Sequence, residues 1–257
     1  MNIFKQLYKS LYSPKDIAAY RFQGIGKTIL YVFLLVLVSI LPAAYSLSIF
    51  TSEAIEESIS AVESELPPFS IEDSTLISDS QEPVTIRKEH LTFIMDSSGS
   101  VPLSKLGEEM NAVALLEDEF VFVIAGEIQS YPYSLFEGIN ADNDEIVTFL
   151  ETLKSLKGII LSVFILILYL FSAGMAFIKV SVFALIALLF ANMLFRKLPY
   201  RQAWRITAYS VTLSTIFFTI MEMLNTFVPA SFFLDWIVTS IILYLAIKEI
   251  PKTKAIK

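Results

Sequence analysis

The sequence predicts an α-helical integral membrane protein of about five apolar helices, with a small α+β, β-rich extracytoplasmic domain inserted between the first and second. Three observations carry this. Thr28 to Phe50 is twenty-three residues without a charge; at ~1.5 Å per residue such a helix covers the ~30 Å hydrocarbon core of a bilayer. Hydrophobic residues make up 55% of the 257 and charged residues 18%, against about 45–50% and 25% in soluble domains. Residues 51–157 hold 22 acids and 5 bases, a net charge of −17, whereas the rest of the chain sums to +10. A segment so charged is not buried in lipid and has to face water.

The elements follow in chain order. In residues 1–12, Ile3, Phe4, Leu7, Tyr8 and Leu11 share one helical face, with Lys5, Gln6, Lys9 and Ser10 opposite. This basic amphipathic pattern fits a helix in an anionic headgroup layer or one packed on the inner ends of other spans. Ser13-Pro14-Lys15-Asp16 supplies a cap, a proline for the first helical position and an acid in the first turn, so a second helix runs towards Gln23. Residues 1–27 thus read as cytoplasmic amphipathic helices and 28–50 as the first transmembrane helix. The basic leader is too long, and its apolar run too extended, for a cleaved signal peptide.

Lys15, Arg21 and Lys27 hold the N-terminal side in the cytoplasm, which puts Ser52 onward outside. Ile55, Ile59, Val62 and Leu66 continue the helical period until Pro67-Pro68 stops it. Seven stretches of strand character follow, at 69–71, 75–77, 84–86, 91–95, 112–116, 120–125 and 128–133, most of them bounded by turn formers. The clearest pair, Ala112–Leu116 and Phe120–Ala125, reads as a hairpin around Glu117-Asp118-Glu119. Helical spacing returns in Ile146, Phe149, Leu150, Leu153 and Leu156, so the outer domain, 51–157, lies between two helical stalks. The chain has no cysteine, which excludes disulfides and thiol chemistry.

Residues 158–257 read as a membrane helical bundle. The apolar runs 158–178 and 180–195 flank Lys179; joined, they make a ~57 Å helix, too long for one crossing, so a hairpin near Gly174–Lys179 is expected. The basic loop RKLPYRQAWR, residues 196–205, precedes apolar runs at 206–228 and 231–247. A basic tail follows, with Lys248, Lys252, Lys254 and Lys257. Five crossings put loop and tail outside, against the positive-inside tendency; four bring thirteen bases to the cytoplasmic side. The crossing number stays open at this stage.

Thr212, Thr215, Thr219, Glu222 and Thr226 follow a 3-4-3-4 spacing, with Asn225 beside Glu222. They predict one polar stripe on a membrane helix. An ionisable side chain in lipid costs at least ~2.5 kcal/mol on insertion scales and faces the bundle or a wet cavity. Glu222 is therefore the first candidate for proton or ligand chemistry, with Lys179, Asn192 and Asp235 as partners; interhelical hydrogen bonding is the structural alternative. In LTFIMDSSGS, Asp96, Ser98 and Ser100 resemble the metal-ion-dependent adhesion motif of von Willebrand A-type domains, whose oxygen ligands suit a hard cation. The βα alternation of that fold is missing, and a side-chain-capped turn explains the residues better. His90 is the only histidine, which leaves no zinc set of the usual kind and no Ser-His-Asp argument. Phosphate-cradling glycine loops are absent, and the short basic segments fit lipid headgroups rather than nucleic acid.

The strings FKQLYKSLYSPKDIAAYRFQGIGKTILYVFLL, PPFSIEDSTL, FIMDSSG and LPYRQAWRITAYS resemble a family of membrane proteins from Gram-positive bacteria with a domain of unknown function, YvdJ-like, some members of which are labelled maltodextrin utilisation protein. The resemblance covers nearly the whole chain. It implies a cell-membrane location and an association with sugar uptake, and brings no catalytic residues. The basic loop leading into a helix that starts Ala208-Tyr209-Ser210 is also similar to Yip-type membrane proteins, which have five apolar helices. The expectation is a multi-pass, non-enzymatic accessory or sensing protein without a cofactor. Its partners are the bilayer and a membrane protein or a second copy, and the rival is a small transporter or channel using the Glu222 stripe.

Overall fold

The structure, a computed structural model, describes residues 2–80, 82–136 and 140–252. Two compact units divide the chain, one of residues 1–45 and 163–257 and one of residues 46–162. Four helical stretches are long and apolar enough to cross a membrane: Ile25–Ser64, Asn143–Met193, Tyr200–Met223 and Ser231–Lys248. The fold is thus helical with a small β-containing part, as the composition predicts.

The first unit opens with α1 (Ile3–Ser10) and α2 (Pro14–Ala19), capped by Asn2 and Ser13 respectively. A 3-10 turn, Tyr20–Phe22, leads to α3 (Ile25–Ser39) and α4 (Leu41–Ser64). The break at Ile40 has a cause in Pro42, which lacks the N–H that the preceding turn would use. Burial corrects the reading of α1. Gln6 and Ser10, assigned to the outward face, are its fully buried residues, while Phe4 and Tyr8 stay exposed. Gln6 donates to Gln23 at 2.6 Å, and Gln23 donates to the Tyr209 hydroxyl at 2.7 Å. Polar partners in the bundle thus turn the amide side of α1 inward, with Ile3 and Leu7 half-buried beside it.

α6 (Asn143–Met193) replaces the expected hairpin with one unbroken 51-residue helix. Neither Gly174 nor Lys179 interrupts it, because Ala173, Val180, Phe183, Ala184, Ala187 and Ala191 form a continuous buried face. That face packs in one core with Ile17 and Ala18 of α2 and with residues of two later helices. These are α7 (Tyr200–Ser210) and α9 (Ser231–Lys248); α8 (Thr212–Met223) lies between them in the chain. Long apolar helices without tertiary contacts are ordinary in lipid, and the small alanines let neighbours approach closely.

In the second unit β1 (Phe69–Glu72) pairs antiparallel with β2 (Thr75–Ser78) across Asp73 and Ser74, both at positive φ, and with the short β8 (Ala141–Asp142). Two left-handed residues match the right-handed twist of a tight hairpin. A five-stranded sheet runs β3 (Val84–Arg87), β4 (Thr92–Asp96), β5 (Asn111–Leu116), β6 (Glu119–Ile124) and β7 (Glu127–Pro132). All seven predicted strands are present, and Ala114 sits opposite Val121 in the predicted β5–β6 hairpin. β4 and β5 are parallel, joined through the short α5 (Leu103–Leu106). One core brings Met95 and Leu115 together with Val62 and Leu66 of α4 and Ile146 and Leu150 of α6. A second gathers Ile94, Leu106, Ala112, Ala114, Val121 and Val123.

Candidate functional site

In the helical unit, α6, α8 and α9 bring three of the predicted ionisable residues to one cavity of about 380 Å³, lined by Lys179, Glu222 and Asp235 together with Ser39, Ser172, Thr215 and Thr219. Lys179 donates to Asp235 Oδ1 at 2.7 Å. Of the three partners expected for Glu222, Lys179 and Asp235 pair with each other, and the Glu222 carboxylate has no side-chain partner among the described residues. Asn192 does not line the cavity; it is thirteen residues beyond Lys179, about 20 Å along the same helix.

The predicted stripe is only partly one stripe. Thr215 and Thr219 face the cavity, each donating its hydroxyl to a backbone carbonyl four residues back, Val211 and Thr215 respectively. A hydroxyl whose single proton is spent offers only lone pairs, so these two threonines present acceptors. Thr212 turns into the core instead, 2.6 Å from the Tyr31 hydroxyl, and donates to the Tyr209 carbonyl at 2.7 Å. The helix ends at Met223, so Asn225 and Thr226 are beyond it. Asn225 stands at φ 49 while the Thr226 amide bonds the Met221 carbonyl at 2.9 Å. Asparagine is the commonest non-glycine residue for such a left-handed helix stop. The apolar run gave no signal for this end; Asn225 did, as a stop residue.

In the acidic unit, both oxygens of Asp96 are used within the protein. Oδ1 accepts from the Ser98 amide at 2.9 Å and its hydroxyl at 2.6 Å; Oδ2 accepts from the Ser100 hydroxyl at 3.3 Å and the Val101 amide at 2.7 Å. Burial raises its pKa and these four bonds lower it, with the net result below the ordinary carboxylate value. The side chain is 1% exposed, and the four donors fill the acceptor positions that a cation would need. The DSSGS segment is a capped turn. Gly99, at φ +67, completes it where a Cβ would stand 2.4 Å from the Glu117 carboxylate.

Three contacts join the two helices of this unit. Lys157 donates to the Ser52 hydroxyl at 2.6 Å, and Lys154 pairs with Glu56 at 3.2 Å. Asn143, opening α6, accepts from the Phe69 amide at 2.8 Å and donates to the Val62 carbonyl at 3.1 Å. The two helices that flank the strands are therefore joined inside this unit through Ser52, Glu56 and Val62. Ile55 is turned elsewhere, into an apolar groove of about 230 Å³ with Leu91, Val113 and Phe122.

His90, which the sequence excludes from a zinc or Ser-His-Asp site, has two carboxylate partners that the sequence reading did not find. Its Nδ1 is 3.0 Å from Glu57 Oε1 and its Nε2 is 3.0 Å from Glu53 Oε2. Glu57 also accepts the backbone amides of His90 at 3.2 Å and Leu91 at 3.1 Å. The i, i+4 spacing of Glu53 and Glu57 was the available signal; nothing in the sequence shows which strand connection meets them.

The family model described as Protein of unknown function (DUF1189) matches residues 4–247. No curated protein and no solved structure matches the chain.

Proposed function

We propose that this chain, which belongs to the DUF1189 family, is a non-enzymatic cell-membrane protein of the sensing or accessory kind. Its acidic unit receives a ligand or partner outside the cell and its helical unit answers to a membrane partner. The observation that carries this reading is the pairing of α4 with α6 in the acidic unit, through Ser52–Lys157, Glu56–Lys154 and Val62–Asn143. Each of these helices has residues in both units. A ligand that alters their pairing has a covalent route to the helical unit, and a ligand shifts such an equilibrium only by its differential affinity for the two arrangements.

The proposed topology has four crossings with both termini in the cytoplasm. Four candidate spans support it, as does charge, since it gathers thirteen Lys and Arg on one side. Exposed Phe4, Tyr8 and Tyr12 beside Lys5, Lys9 and Lys15 suit an inner-leaflet surface, where aromatic rings and cations anchor together. Lys254 and Lys257 of the basic tail fall outside the described residues. The maltodextrin label of the YvdJ-like proteins makes a sugar-uptake system the first partner to test.

Two experiments bear on this. Single cysteines at Tyr12, Ser130 and Gln202 in intact cells should react with an impermeant thiol reagent only at Ser130; labelling of Gln202 refutes the topology. Affinity capture from native membranes should return a stoichiometric membrane protein. A second reading, a small transporter or channel, is favoured by the cavity holding Glu222. Solute or proton flux in liposomes that is lost on Glu222→Gln would establish it at the expense of the accessory role.

A further inference from the structure

We propose that the proton is a ligand of the acidic unit, bound at His90, and that it closes the segment Lys88–Leu91 as a strap onto α4. The proposal rests on the sensing reading above and names what is sensed.

The geometry carries the inference. A neutral imidazole has one N–H and one lone pair; only the imidazolium donates from both nitrogens. Here the two nitrogens meet carboxylate oxygens of two different residues, each at 3.0 Å. Those residues, Glu53 and Glu57, are one turn apart on α4, so the ring spans a helical turn like a staple. Deprotonation leaves a lone pair against one carboxylate, an arrangement in which attraction becomes repulsion. Because the two carboxylates address opposite sides of the ring, they do not converge on a point where a metal ion would sit; among the described residues no cluster of metal ligands occurs.

The strap has further fastenings on the same helix and the turn that ends it. Lys88 pairs with Glu65 and donates to the Ser60 hydroxyl at 3.4 Å. The amides of His90 and Leu91 both donate to Glu57. Phe50 of α4 presents its ring to the imidazole with centroids 6.3 Å apart. The ionisable groups facing His90 are thus Glu53 and Glu57 from α4 and Glu89 from its own segment, all acidic. The Glu57 hydrogen bond leads in pushing the His90 pKa upward; desolvation is the next largest effect and opposes it, and the charges of Glu53, Glu57 and Glu89 add to the rise, which is the net result. The folded value lies above the unfolded one, so the fastening is complete below about pH 6.5, the ordinary histidine value, and is lost as pH rises through the folded pKa. Leu91 follows His90 directly and lines the apolar groove with Phe50, Ala54 and Ile55. Loosening the strap therefore loosens one wall of that groove.

The test uses the full chain in lipid nanodiscs. Because His90 is the only histidine, imidazole ¹⁵N labelling reports one titration. The expected midpoint lies above that of a free histidine, and Glu57→Gln lowers it. The exchange protection factor of the Leu91 amide should drop at least tenfold across the same midpoint, and His90→Gln should abolish that step while leaving the chain folded. A midpoint at or below the free value, unchanged by Glu57→Gln and by Glu53→Gln, overturns the proposal. So does Leu91 protection without a step in the unaltered protein. Partner capture over the same pH series separates the two readings. A His90-linked step with pH-independent capture leaves the strap standing and counts against sensing, whereas pH-dependent capture that persists in His90→Gln does the reverse.

Discussion

Replacing Asp96 should destabilise the acidic unit more than any other single change in the DSSGS turn. Asp96→Ala removes the acceptor for four donors at once, in a site 1% exposed. Hydrogen bonds to a charged partner contribute about 1.5–3 kcal/mol each, but the two serine hydroxyls can rotate to other acceptors. The loss is therefore dominated by the Ser98 and Val101 amides, and amounts to about 3–5 kcal/mol. Asp96→Asn keeps one oxygen, enough for Ser98, and turns an NH₂ towards the Val101 amide; about 2–3 kcal/mol is expected from that single donor-against-donor contact. Thermal unfolding of the full chain in detergent, followed by exchange at strands β4 and β5, measures both. Acid weakens the unaltered turn, since a carboxylate with a depressed pKa contributes above its unfolded value of 3.8 and that contribution fades as pH falls through the folded value. A loss below about 1 kcal/mol for Asp96→Ala refutes the capping argument. A melting temperature that rises with calcium or magnesium in the unaltered protein alone refutes it from the other side.

Three other perturbations have expected outcomes. Lys179→Met should lower stability in bilayers by about 3–5 kcal/mol by stranding Asp235, and the double change Lys179→Met/Asp235→Leu should recover most of it, read as a denaturation cycle; equal losses in single and double variants would show that the pair is not coupled. Tyr31→Phe removes the hydroxyl 2.6 Å from Thr212 and should cost about 1 kcal/mol, measured by the same unfolding assay, with no cost if Thr212 finds enough in the Tyr209 carbonyl. Cysteines at Ser52 and Lys157 should be joined in intact cells by a short bifunctional thiol crosslinker that replaces the reach of the lysine stem, because the native Lys157 ammonium meets the Ser52 hydroxyl at 2.6 Å. Failure there and at Glu56/Lys154 would count against a paired α4 and α6.

The strands were legible because short β-branched and aromatic runs alternate with turn formers, and turn chemistry is local. The helix after Asp142 and the stop at Pro67-Pro68 were legible for the same reason. What failed depends on partners far away in sequence. The face of α1 was read from its apolar side, yet Gln6 is buried because Gln23 and Tyr209 wait for its amide. The parallel pairing of β4 with β5 leaves no trace in either strand, since register is written between segments. In the cavity, spacing alone grouped Thr215, Thr219 and Glu222 correctly, while Thr212 was claimed by Tyr31 and the helix ended before Asn225 and Thr226. The ion pair of Lys179 with Asp235 needed the structure, because three candidates for one carboxylate cannot be ranked by spacing.

The expected hairpin in α6 exposes a general hazard in reading apolar length as crossings. Residues 158–193 are thirty-six apolar-rich positions, about 54 Å of helix, and fitting that into ~30 Å of hydrocarbon by tilt alone needs roughly 56°, beyond the 0–40° that membrane helices adopt. The structure resolves the surplus inside the helical unit. α9 runs parallel to the last part of α6, from Lys179–Asp235 through Phe183–Trp236 and Phe190–Tyr244 to the Arg196 contact with the Lys248 carbonyl. Over that length Ala184, Ala187 and Ala191 are buried by protein, whereas Phe164, Ile167, Leu170 and Phe171 before it are exposed. The exposed apolar surface of the first part suits lipid as its solvent, whereas the second part spends its apolar face on other helices. A sign of the change was available in the sequence: bulky Phe, Ile and Leu on all sides up to Phe171, then alanines at i, i+3 and i+7. Counting crossings from hydropathy treats the two as one medium, and the alanine spacing tells them apart.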